Sequence, residues 1–130
     1  MNKYKTLKGE CLCGQVSWEL SGPYEFFGMC QCSRCRKVTG AAFATNLFVK
    51  ANQFKWLTGE SEVGEYVMEA PNTFGNAFCK TCGSRAPRFS SARGWMMAPL
   101  GSTMQTPEIE PTLVCAKDHT DWFKKLEEMI

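Results

Sequence analysis

The chain has 130 residues, with 15 Lys and Arg against 13 Asp and Glu, for a formal net charge of +2. That length fits one ordinary domain spanning residues 1–130, and so small a charge excludes a global footprint for nucleic acid or for an acidic partner. No apolar run approaches the ~20 residues needed to cross a bilayer, and MNKYKTLKGE has no apolar stretch after its lysines. The expectation is a soluble cytoplasmic protein without a secretory leader.

In chain order, Val16, Trp18 and Leu20 alternate with Ser17 and Glu19, predicting a half-buried strand that ends at Gly22-Pro23. Ser33 to Thr39 predicts a helical turn or two, stopped by Gly40. AFATNLFV, residues 42–49, predicts a buried strand, and Phe54 and Trp56 flank Lys55 in another, with a turn at Thr58-Gly59. Residues 74–79, 95–100 and 112–116 are further short strands, with Trp95, Met96 and Met97 expected in the core. The C-terminal DWFKKLEEMI puts Trp122, Leu126, Met129 and Ile130 on one stripe, predicting a short helix packed over a sheet edge. The fold expected is mainly β with one short C-terminal helix.

Eight cysteines is a high count for this length, and with no leader it points to metal thiolates rather than disulfides. They fall as Cys11-Leu12-Cys13, Cys30-Gln31-Cys32-Ser33-Arg34-Cys35, Cys79-Lys80-Thr81-Cys82 and a lone Cys115. In an extended chain residues i and i+2 share a face, so C-x-C presents two sulfurs together; C-x-x-C does the same across a tight turn. Cys13 and Cys82 are each followed by glycine, which lets the backbone turn its amides towards the sulfurs. Cys11, Cys13, Cys79 and Cys82 therefore read as one tetrahedral structural zinc site joining distant parts of the chain.

The middle cluster has three sulfurs and is followed by Arg36-Lys37, with Arg34 inside it. Three protein ligands with a vacant fourth position is the pattern of a catalytic zinc. Nearby cations favour thiolates and suit a carboxylate-bearing substrate, which makes Arg34, Arg36 and Lys37 the candidate substrate-binding residues. Cys115, placed in the apolar strand PTLVCA, or His119, the single histidine, would close the site as fourth ligand. A Cys30–Cys35 disulfide is a further state open to metal-free protein. Cys115 in such a strand reads as a small hydrophobe.

GECLCGQVSWEL, CQCSRCRKVTGAAF, WLTGE and FCKTCGS together resemble the glutathione-dependent formaldehyde-activating enzyme family, also called the centromere protein V family, from about Gly9 to Trp122. The resemblance implies a β-tent of twisted antiparallel sheets around two zinc ions per chain. Cys11, Cys13, Cys79 and Cys82 would hold the structural ion. Cys30, Cys32 and Cys35 would hold a labile catalytic one. It also implies a carbon–sulfur lyase acting on adducts of glutathione with formaldehyde. Two positions depart from the family pattern: Gln31 stands where many members have histidine, and Pro111-Thr112-Leu113-Val114 stands where many have P-x-x-H. The competing functions are a non-catalytic zinc-stapled module binding protein or nucleic acid, with Arg34–Lys37, Arg85, Arg88 and Arg93 as its cations, and a thiol redox switch at the middle cluster.

Overall fold

Alternation of apolar and polar side chains sets the first sheet. The computed structural model describes residues 6–69 and 74–130, so the first five residues of the N-terminal stretch read above lie outside it. In Ser17–Ser21, Trp18 and Leu20 are buried while their neighbours are half-exposed. In chain order the strands are β1 (Thr6–Glu10), β2 (Ser17–Ser21), β3 (Phe26–Cys30), β4 (Ala44–Lys50), β5 (Phe54–Thr58), β6 (Val63–Val67), β7 (Gly75–Cys79), β8 (Arg85–Ala86), β9 (Arg88–Ser90), β10 (Trp95–Pro99) and β11 (Thr112–Val114). The helices are α1 (Ser33–Thr39) and α2 (Lys125–Met129).

The strands form three sheets, in the orders β1-β2-β5, β11-β3-β4-β10-β9 and β6-β7-β8. Every pair is antiparallel except β11 on β3, which sets Val114 opposite Cys30. The expected β-rich fold is the one observed, with α1 ending at Gly40 as its sequence predicts. The main core joins the first sheet to the second: Leu7, Trp18 and Leu20 pack with Leu47, Val49 and Met96. Burying each of these large side chains stabilises the fold by about 1.5–3 kcal/mol. Met96 and Met97 are buried as expected, while Trp95 is half-buried against the Phe48 ring.

Two expectations are corrected. The C-terminal stripe does not cover a sheet: Trp122 is 61% exposed and Met129 77% exposed. The segment begins as a 3-10 turn over Asp121–Lys124, and α2 holds only five residues, too short to carry a 3.6-residue stripe onto the sheet. Phe123, off the predicted stripe, instead makes the edge-to-face contact with Phe43 at 5.8 Å between ring centroids. Cys115 is likewise no core residue. It lies just past β11, exposed, with φ at +55° in the left-handed region.

Candidate metal centres

The first centre is built by two turns of matching geometry. Gly14 N–H donates to Cys11 O at 3.1 Å and Gly83 N–H to Cys79 O at 2.8 Å, with φ at +82° and +78°. A side chain at either position would meet the Cβ clash of left-handed backbone, so glycine closes each turn. The result brings the Cys11, Cys13, Cys79 and Cys82 sulfurs all within 4.8 Å of one another. Two of the edges are Cys11–Cys13 at 3.6 Å and Cys13–Cys79 at 3.8 Å. A tetrahedron with zinc–sulfur bonds of ~2.3 Å has edges of ~3.8 Å, so the donor set fits such an ion. Val16 N–H donates to Cys11 Sγ at 3.3 Å, and Cys82 Sγ lies 3.2 Å from Ser84 Oγ. Hydrogen bonding to the Ser84 hydroxyl, then to its amide, pulls the Cys82 thiol down to about 5.

The second centre sits where β3 runs into α1. Cys30 ends the strand, Cys32 caps the helix by accepting from Cys35 N–H at 3.4 Å, and Cys35 lies buried one turn in. These three sulfurs also lie within 4.8 Å of one another. Burial pushes the Cys30 thiol well up, whereas at Cys32 the amide of Cys35 and the neighbouring thiols overcome burial and bring it below its usual value. Cys32 is therefore the sulfur that holds negative charge most readily. Gln31, between two of the ligands, is 1% exposed, and its side-chain amide has no hydrogen-bond partner among the described residues. Its backbone is satisfied, with N–H donating to Val114 O and C=O accepting from Arg36 Nε.

The three-sulfur cluster opens onto a cavity of about 330 Å³ whose walls, among the described residues, carry Arg34, Arg85, Arg88 and Arg93 and no carboxylate. Arg34 lies over the Phe74 ring at 5.9 Å and Arg93 over Phe48 at 5.0 Å. Arg88 Nε is paired to Glu65 at 2.6 Å. Arg85 donates from Nη1 to Asn46 Oδ1 at 2.8 Å and from Nε to Asn76 Oδ1 at 3.2 Å. Burial lowers the Arg85 pKa, and the facing Cys35 and Cys30 thiols work against that fall. A second recess beside Cys32 is lined by Arg34, Arg36, Cys115, Asp118 and His119. His119 Nδ1 lies 3.0 Å from Thr120 O; a carbonyl only accepts, so Nδ1 donates there, and Nε2 is the acceptor of the neutral ring.

Of the cations singled out in the sequence, Arg34 lines both spaces, Arg36 lines the recess, and Lys37 is exposed on α1 and lines neither. Arg85, Arg88 and Arg93, read from the sequence as scattered support for a binding surface, converge on the cavity instead. No local pattern marks them as a set, since they come from β8, β9 and the turn before β10. Cys115 belongs to the walls of both spaces, although its sulfur is not one of the clustered three.

Among the described residues, no helix is long and apolar enough to cross a membrane. The model of the glutathione-dependent formaldehyde-activating enzyme family matches residues 6–119. No curated protein gives a significant match. A crystal structure of a Rhodobacter sphaeroides protein, a structural genomics target, superposes with a TM-score of 0.55 at 21% sequence identity, covering 76% of this chain and 89% of that one. That likeness bears on the fold.

Proposed function

The chain belongs to the glutathione-dependent formaldehyde-activating enzyme family, and from that premise we propose that it is a zinc-dependent carbon–sulfur lyase for adducts of glutathione-like thiols with small aldehydes. The observation that carries this reading is the three-sulfur cluster at the mouth of a cavity that, among the described residues, has four arginines and no carboxylate. Cys11, Cys13, Cys79 and Cys82 hold a structural zinc in this proposal, and Cys30, Cys32 and Cys35 a second. When bound there, the second ion supplies Lewis acidity and a charge that favours thiolate over thiol.

In the synthetic direction a carbon–sulfur bond forms between the thiol sulfur and the carbonyl carbon, and the carbonyl π pair moves to oxygen. The thiol proton passes to an acceptor side chain and is delivered from it to the oxygen, so the addition is proton-neutral. The cavity arginines lower the cost of that thiolate, because a negative charge entering their field is stabilised before it reacts. Arg34 and Arg93 lie on aromatic rings, an arrangement that leaves the edges of both guanidinium planes open to carboxylates. Neither has a carboxylate partner among the described ion pairs. Arg36, in the recess, extends that carboxylate site, and Lys37 adds only to the wider positive field. His119, which lines the recess beside Cys32, is the residue we assign to take the departing thiol proton at Nε2 and return it to the oxygen.

The binding-module alternative loses its best support in this geometry. Arg85, Arg88 and Arg93 surround a space suited to a small anion, not a surface that tracks a phosphate backbone. The test is calorimetry of zinc-replete protein with glutathione, together with exchange spectroscopy on the formaldehyde adduct. Binding with accelerated exchange is expected. Absence of both, across a panel of thiol adducts, would remove the reading.

A further inference from the structure

Arg85 is half-buried and pairs with no carboxylate among the described residues. A charge removed from water in this way requires compensation. Its hydrogen bonds go to two neutral amides, Asn46 on β4 and Asn76 on β7. The bond to Asn46 Oδ1 has a directional consequence. With its oxygen held by Arg85, the amide turns its Nδ2–H group towards Cys35 Sγ, 3.9 Å away. Arg85 thus meets the three-cysteine cluster twice, as a charge on the wall of its cavity and through a polarised amide aimed at one sulfur. Three thiolates around a divalent ion carry one net negative charge, which is the charge Arg85 lacks.

The position of Arg85 is set by the other centre. It follows Cys82 by three residues and opens β8, just past the turn that Cys79 N–H closes by donating to Ser84 O at 2.9 Å. One hairpin therefore carries two ligands of the four-cysteine centre and then reaches across to the three-cysteine centre. We infer that Arg85 is the positioning residue of the three-cysteine centre, holding the Asn46 amide and one compensating positive charge against its thiolates. This rests on the proposed metal at that cluster. Partners of this kind typically change metal affinity 10–100-fold when removed.

The test is cobalt(II) titration of the apo-protein, read by the thiolate-to-cobalt charge-transfer absorption, with folding followed by circular dichroism. The parent is expected to take two equivalents. Arg85→Met and Arg85→Gln are expected to keep the first and to bind the second about 10–100-fold more weakly, and Arg85→Lys to recover most of that loss. Gln is included because it is neutral yet still donates to Asn46, so a weak second site there separates charge from scaffold. If Arg85→Met fails to fold, Arg85→Gln and Arg85→Lys decide. A folded Gln variant that binds the second equivalent as tightly as the parent overturns the inference while leaving the metal reading intact. Failure of all three variants to fold overturns it too, since Arg85 would then be holding strands together. A parent that takes up one equivalent only defeats the metal reading and the inference with it.

Discussion

Removing one ligand from each centre should have unequal consequences. In the four-cysteine centre, Cys13 and Cys79 are 66 residues apart, and Cys79 is fully buried. A cross-link closing a loop of that length removes about 4 kcal/mol of chain entropy from the unfolded state by the arithmetic used for disulfides. At roughly 2.1 cal/mol/K per residue for thermal unfolding, a chain of 130 residues shifts in Tm by about 4 °C for each kcal/mol. Cys79→Ser should therefore melt about 15 °C lower or more. Cys30 and Cys35 enclose only a short loop, for which the same arithmetic gives at most about 2 kcal/mol. Serine at position 32 also keeps the cap accepting from Cys35 N–H, because serine is a favoured N-cap. Cys32→Ser should lose one zinc by mass spectrometry of the metal content, with a Tm decrease below about 8 °C. Equal melting shifts for the two variants, or retention of two zinc ions by Cys79→Ser, would refute the division into structural and second centres.

Gln31→Leu should raise the melting temperature, because it removes a buried amide that has no partner among the described residues and costs about 1–3 kcal/mol; a lower melting temperature would reveal a partner for that amide. Gly83→Ala should lower stability by about 1–2 kcal/mol through left-handed backbone strain alone, since open space surrounds the site, and chelator competition should strip the four-cysteine centre faster. Trp122→Ala, by contrast, should change denaturation by no more than about 0.5 kcal/mol, as expected of an exposed side chain. Arg93→Ala should raise KM for a dicarboxylate thiol adduct with little change in kcat, measured against a thiol adduct that lacks carboxylates.

The amino-acid sequence by itself determined the features that depend on neighbours a few residues apart. The C-x-C and C-x-x-C spacings, the glycine after each outer pair, the Trp18–Leu20 alternation and the α1 stop at Gly40 all have local causes, and each appears where its spacing places it. The C-terminal stripe also had the right local period, but amphipathicity carries no instruction about which surface is available. Trp122 is left in solvent and Phe123 finds the aromatic partner.

Tertiary structure alone decided the electrostatics of the second centre. Arg34, Arg85 and Arg93 come from a helix, a two-residue strand and a turn, and only the packing of the second and third sheets brings them around one cavity. Sequence spacing likewise has no means to show that Asn46, 39 residues from Arg85, stands between that arginine and Cys35. The physical reason is the range of the forces involved. Ligand pairing and turn chemistry act over one or two residues of backbone, whereas the field at a thiolate sums over whatever charges the fold has gathered and whatever water it has excluded.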